Sequence, residues 1–160
     1  MSDINMLEYS QVKNFLEYYN MLDIDDDKKY FVCHEMELSV FDELSLKRLL
    51  FEYQLLVYCK TSNSKINNFI MLQVPPILKK TNTLEIVMMG LYDTDFIKDV
   101  CVIVKESFQN KGWGKIVLNL LKFQHNKDYD NLFSETGFQK ELELKAGQEN
   151  YNQYYYTYLF

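Results

Sequence analysis

The stretch FQNKGWGKIVLNLLKF, residues 108–123, constrains the fold more than any other part of this 160-residue chain. Gly112 and Gly114 flank the only tryptophan, Trp113, where an apolar pattern at helical spacing begins. Glycine inside a helix costs about 1 kcal/mol relative to alanine, so a helix that opens on two glycines must gain something else. A helix N-terminus leaves backbone N–H groups unpaired, and its dipole favours negative charge there. Glycines leave those amides approachable and permit a tight turn. The spacing therefore predicts a strand, a glycine turn able to cradle an anion, and a helix over 112 to about 124. Lys105, Lys111, Lys115, Lys122 and Lys127 add positive charge to a segment whose one acid is Glu106. The plainer alternative is a glycine turn into a helix with a solvated lysine face, and the turn alone does not choose between them.

The rest of the chain reads as short helices and strands. Val12, Phe15, Leu16 and Tyr19 share one helical face within 10–22, with Ser10 as a cap. DIDDD, 23–27, spaces its acids like a calcium loop but lacks that loop's glycine and distal glutamate, so it reads as a solvated turn. DELSLKRLLFE, 42–52, is predicted helical, capped by Asp42 with Leu44, Leu46, Leu49 and Leu50 buried. Strands are expected at 53–60 and 68–74, a hairpin joined by the polar turn TSNSKIN, with Pro75 and Pro76 ending its second strand, and at 83–92. KDVCVIVK, 98–105, is apolar and β-branched enough to read as a central strand. FQKELELKA and QYYYTYLF, 138–146 and 153–160, alternate and pair as a terminal hairpin. The fold class is α/β (α+β): one domain over 1–160, with a mixed, mostly antiparallel central sheet flanked by helices.

Charge and cysteine usage narrow the function. A net charge of −6 disfavours a general nucleic-acid binder. No apolar run is long enough to span a membrane, and MSDINMLEYS does not look like a secretory leader, so a cytoplasmic protein is expected. Cys33, Cys59 and Cys101 make no CxxC pair and no zinc spacing with His34 or His125. They read as reduced core thiols, with no metal site.

Gln109, Gly112 and Gly114 form Q-x-x-G-x-G directly after VCVIV, and this resembles the acetyl-CoA pyrophosphate loop of the GNAT family of N-acetyltransferases. VCVIVKESFQNKGWGKIVLNLL is similar to that family's strand–loop–helix unit, including Phe108 before the glutamine. LFSETGF, 132–138, resembles the family's helix-to-strand junction, and Asn126 stands where members often have an asparagine. Two terminal strands complete the likeness, which covers about 53–160; the resemblance implies that 53–160 is the acetyl-CoA-binding core and 1–52 the family's variable helical part. The Walker and Rossmann phosphate loops are both excluded by spacing, Val117 standing where the third Rossmann glycine would fall.

The resemblance implies direct acetyl transfer from acetyl-CoA to a primary amine of a small molecule or peptide. It places the pyrophosphate on the amides of Gln109, Asn110, Lys111, Gly112, Trp113, Gly114 and Lys115, and adds Asn126 to the cofactor site. A backbone N–H around Val102 to Val104 would polarise the thioester carbonyl. Glu85 or Asp99 would serve as base, and Tyr154, Tyr156 or Tyr158 as acid. Two departures stand out. Phe133 occupies the place of the tyrosine that often protonates the departing thiolate, and phenylalanine has no proton to give. Eleven residues, 115–125, separate Gly114 from Asn126, too few for a longer helix and a further strand, so the pantetheine-binding splay between adjacent strands is shortened or rebuilt. The alternative is a GNAT-like CoA-binding or interaction module without turnover. A homodimer through the aromatic C-terminal strand, or that strand covered within the monomer, both fit.

Overall fold

The computed structural model describes residues 3–22, 30–31, 42–52, 54–74, 82–90, 93–123, 129–145 and 151–160. Its strands are β1 (Asp3–Met6), β2 (Tyr30–Phe31), β3 (Leu55–Ser62), β4 (Lys65–Gln73), β5 (Thr83–Met89), β6 (Lys115–Phe123), β7 (Gln139–Lys145) and β8 (Tyr151–Leu159). Its helices are α1 (Val12–Met21), α2 (Glu43–Phe51), α3 (Thr94–Phe108) and α4 (Tyr129–Ser134). The sheet runs β1-β3-β4-β5-β6-β8-β7, with β2 paired to β5 off that path. Every pairing is antiparallel except β5 with β6. The mixed, mostly antiparallel sheet flanked by helices is the expected architecture. One addition lies at the N-terminus, where Asp3–Met6 joins the sheet edge beside β3.

Apolar residues cover both faces of the sheet. Along β3, Leu56 and Tyr58 join one core with Val100, Cys101 and Val104 of α3, while Leu55, Val57 and Cys59 join a second with Phe15 of α1 and Leu46 of α2. Successive strand side chains point to opposite faces, so a strand covered on both sides reads as an unbroken apolar run, LLVYC. The β3–β4 hairpin closes through Asn63 and Ser64, both at positive φ (51° and 62°), the primed geometry that matches strand twist. Helix α1 buries Val12, Phe15, Leu16 and Tyr19 as its spacing predicts. Helix α2 is capped by Asp42, whose carboxylate accepts the Ser45 N–H at 2.8 Å. Of its leucines Leu46 is fully buried, whereas Leu44 faces solvent. Strand β8 lies between β6 and β7, so the aromatic strand is covered within the monomer.

Two elements differ from the sequence reading, and they exchange roles. Residues 98–105 are not a strand but the middle of α3. Phe96, Ile97, Val100, Cys101 and Val104 are buried at helical spacing, and Val102 is exposed. β-branching lowers helix propensity by tenths of a kcal/mol per residue. Burying an apolar side chain contributes about 1.5–3 kcal/mol, so the 3.6 period prevails over the local preference. Residues 115–123, expected to be helical, form β6 between β5 and β8, with Ile116 and Leu118 buried on one face.

Candidate functional site

The exchange moves the glycine turn from a helix start to a helix stop. The Gly112 N–H donates to the Gln109 carbonyl at 3.1 Å and the Trp113 N–H to the Phe108 carbonyl at 3.3 Å. Gly112 has φ +84°, the left-handed conformation. These two bonds around a left-handed glycine make a Schellman stop, completed by an apolar contact across it. Here that contact is Phe108 against Trp113, edge to face at 6.1 Å. The Gly114 N–H donates to the Asn82 carbonyl at 2.9 Å. The amides of Gly112, Trp113 and Gly114, assigned to a pyrophosphate, are therefore spent on the chain's own carbonyls. Gln109, Asn110 and Lys111 form a short exposed 3-10 turn, and Lys115 begins β6 opposite Thr83. Val102 and Val104 lie within α3, where interior N–H groups bond the carbonyls four residues back. They have no free amide for a thioester.

The strand and helix of the unit that the resemblance calls for are β5 and α3, and the passage between them is described at Gly90 and Asp93. It opens with a close approach. The Gly90 N–H donates to the Phe69 carbonyl at 2.9 Å, and a Cβ on Gly90 would stand 2.7 Å from Asn68 Oδ1. It ends on Asp93, whose Oδ1 accepts the Phe96 N–H at 3.0 Å and whose Oδ2 accepts Lys60 Nζ at 2.7 Å. Lys60 also lies 6.0 Å from the Phe96 ring centroid. Partial burial pushes the Asp93 carboxyl up, but the Lys60 ammonium and the Phe96 amide together outweigh it and hold the group below the usual carboxylate range. A negative charge thus already sits on the α3 N-terminus.

Beside this junction, β5 and β6 run parallel through four residue pairs, Thr83–Lys115 to Ile86–Leu118, and no further. At the point of parting β5 bulges: Leu72 faces Ile86 but Met71 faces Met88, leaving Val87 as the extra residue. Both Val87 and Met88 are buried in the α1/α2 core. Bulges concentrate next to active sites, and neither the parting nor the bulge has a signature in this sequence. Beyond the bulge, Met88 and Met89 pair with β4 on one side and with Phe31 and Tyr30 of β2 on the other. A strand has two lateral edges, so β2 lies on the edge that β6 has left.

The proposed acid and base are not brought together. Glu85 is half-buried in line with Val117 and Thr157. Its neighbours Leu84 and Ile86 belong to the α3/α4 core, so Glu85 points to the α1/α2 face. Tyr154 packs on the α3/α4 face, 6.4 Å from the Tyr156 ring and 5.6 Å below Lys140 Nζ. Asp99 is exposed on the outer side of α3. The Tyr156 hydroxyl donates to Asp130 at 2.7 Å, and burial together with that carboxylate pushes its pKa upward. Phe133 is fully buried between Phe138 and Tyr156, at 6.2 and 5.1 Å. Cys59 and Cys101 are buried thiols pushed up to about 12 by desolvation. Asn126, Cys33, His34, His125 and the 23–27 run lie outside the described residues. Among the described residues no His/Cys/Asp/Glu cluster has metal-binding geometry, and no helix is long and apolar enough to cross a membrane.

No family model matches the sequence, and no curated protein matches it. Solved structures match along the whole chain. A GNAT-family acetyltransferase from Streptococcus pneumoniae superposes with a TM-score of 0.73 at 12% identity, covering 100% of this chain and 99% of that one. A probable acetyltransferase from Staphylococcus epidermidis gives 0.70 at 12% identity, with 99% of each chain covered. PaiA N-acetyltransferase from Thermoplasma acidophilum, solved in complex with coenzyme A, gives 0.62 at 14% identity and covers 100% and 99%. Identity this low carries the fold and not the residues of a site. From β1 to β8, this chain has the GNAT acetyltransferase fold.

Proposed function

We propose that this chain keeps the GNAT scaffold as a binding or interaction module without acetyl-CoA-dependent turnover. The observation that carries the reading is Asp93. A pyrophosphate needs open amides and positive field at the α3 N-terminus. That position holds a carboxylate, which takes the Phe96 amide and neutralises Lys60. The edge of β5 beyond the bulge is already paired with β2, and Phe133 offers no proton where the family often has one. The described residues at this junction, Gly90 and Asp93 onward, do not fit the pyrophosphate of acetyl-CoA.

Calorimetry with CoA and with acetyl-CoA tests this directly. No saturable heat is expected from either ligand at millimolar concentration. A micromolar dissociation constant for CoA, about −8 kcal/mol, overturns the misfit at Asp93, and thiol release from acetyl-CoA overturns the absence of turnover.

A second reading is the acetyl-CoA-dependent N-acetyltransferase acting on a primary amine of a small molecule or peptide. The bulge at Val87 and the parting of β5 from β6 favour it. It requires β2 to leave the β5 edge. Release of free thiol from acetyl-CoA in the presence of polyamines or peptide amines would establish it.

A further inference from the structure

The stop that ends α3 also builds one wall of a cavity away from the β5–α3 junction. The cavity measures about 420 Å3 and is lined by Met6 of β1, Leu56 and Tyr58 of β3, Val74, and Ser107, Phe108, Lys111 and Trp113 at the end of α3. This is the size of small-molecule sites, which are mostly apolar with a few polar groups that fix orientation. Met6, Leu56, Val74, Phe108 and Trp113 supply the apolar wall.

The polar residues on the lining share one property: each can donate a hydrogen bond. Tyr58 is 5% exposed, and its hydroxyl has no hydrogen-bond partner among the described residues. Ser107 adds a second hydroxyl. Lys111 Nζ lies 5.1 Å from the Phe108 ring centroid, beside the wall, and has no carboxylate partner among the described residues. An ammonium can only donate.

We propose that this cavity binds a small organic acid, with an aromatic or hydrocarbon body against Trp113, Phe108 and Leu56 and its carboxylate facing Lys111. The apolar walls select the body, and the Lys111 ammonium selects the sign of the head group. The site does not depend on whether CoA binds elsewhere.

Trp113 is the only tryptophan of the chain and lines the site, so its fluorescence reports occupancy. The probes are 4-phenylbutyrate and 4-phenylbutylamine, alike in body and opposite in charge. The acid should give a saturable change, and the amine should bind at least tenfold more weakly. Lys111→Glu, at an exposed position, should reverse that order. Val74→Phe, which fills the cavity, should weaken the acid at least tenfold while circular dichroism confirms the fold. Equal affinity for acid and amine overturns the proposal. So does an acid preference that survives Lys111→Glu, or the absence of a saturable change with the acid at millimolar concentration.

Discussion

Replacing the two glycines of the turn one at a time separates a helix stop from an anion seat. Gly112 sits at φ +84°, and a Cβ there would come no closer than 4.0 Å to Asn82 Nδ2. Alanine at 112 thus meets no clash and is penalised through the backbone alone, by about 1–2 kcal/mol for an L-residue in the left-handed region. Gly114 needs no left-handed φ, and its Cβ would meet nothing within 4 Å. Either substitution also restricts the unfolded chain, stabilising the protein by about 0.4–1 kcal/mol. That contribution is common to both and cancels between them. Gly112→Ala should therefore lie about 1–2 kcal/mol below Gly114→Ala, which itself should equal or slightly exceed the parent. Asparagine tolerates the left-handed region, so Gly112→Asn should recover about half the difference. In a chain of this size the gap between the alanine variants is about 2–8 °C in Tm. Urea titration should show it as a shift in midpoint at constant slope. Were the turn an anion seat, both variants would keep their stability and both would lose CoA affinity. Equal stabilities for the two alanine variants would refute the helix-stop account.

Three further outcomes follow from the geometry. Phe133→Tyr restores the hydroxyl that the family resemblance invites, but at a fully buried position against Phe138 and Tyr156. It should cost about 1–3 kcal/mol in thermal unfolding through an unpaired buried hydroxyl and should confer no thiol release from acetyl-CoA. Asp93→Asn keeps a good cap and removes the charge, so it should cost about 0.5–1 kcal/mol at neutral pH for a pair this exposed. Because the folded Asp93 pKa is depressed, the parent's advantage over Asp93→Asn is fully present above the unfolded carboxylate pKa, about 3.9. It disappears as pH falls through the lower folded value, and chemical unfolding that showed a gap unchanged down to about pH 2 would contradict the ion pair. In a Cys33→Ser background, Cys59 and Cys101 should stay unreactive toward a disulfide reagent at pH 8 until denaturant is added, since burial pushes both to about 12.

Strong periodicity with nothing competing against it was legible in the sequence. Helix α1, the β3–β4 hairpin and the β7–β8 pair stand where alternation and spacing place them. From 94 to 123 the local and global signals conflict, and the structure follows the global ones. VCVIV has strand propensity, yet the residues buried across it fall at i, i+1, i+4, i+5 and i+8 from Phe96. The window 98–105 is too short to show that period, and it omits the cap DTDF that starts the helix. KIVLNLLKF has helix-forming leucines, yet it is enclosed by β5 and β8. Enclosure on both edges is a property of the folded sheet and leaves no local mark.

The two glycine stops of the chain share one sequence pattern. FSETGF, 133–138, resembles a helix-to-strand junction in sequence, and the structure ends α4 there: the Gly137 N–H donates to the Ser134 carbonyl, the Phe138 N–H to the Phe133 carbonyl, and Gly137 has φ +91°. FQNKGW, 108–113, has the same form, an aromatic, three residues, a glycine and an aromatic, and it makes the same pair of bonds around Gly112. Both aromatic pairs close edge to face, at 6.1 and 6.2 Å. A chain that uses one pattern twice gives each copy as evidence about the other. Reading 108–113 by analogy with 133–138 predicts a helix before Gly112 and a strand after it. That assignment returns the strand–loop–helix unit to β5 and α3. The proposal on CoA then rests on the α3 N-terminus, where the Asp93 carboxylate already takes the Phe96 amide and carries a charge of the same sign as a phosphate.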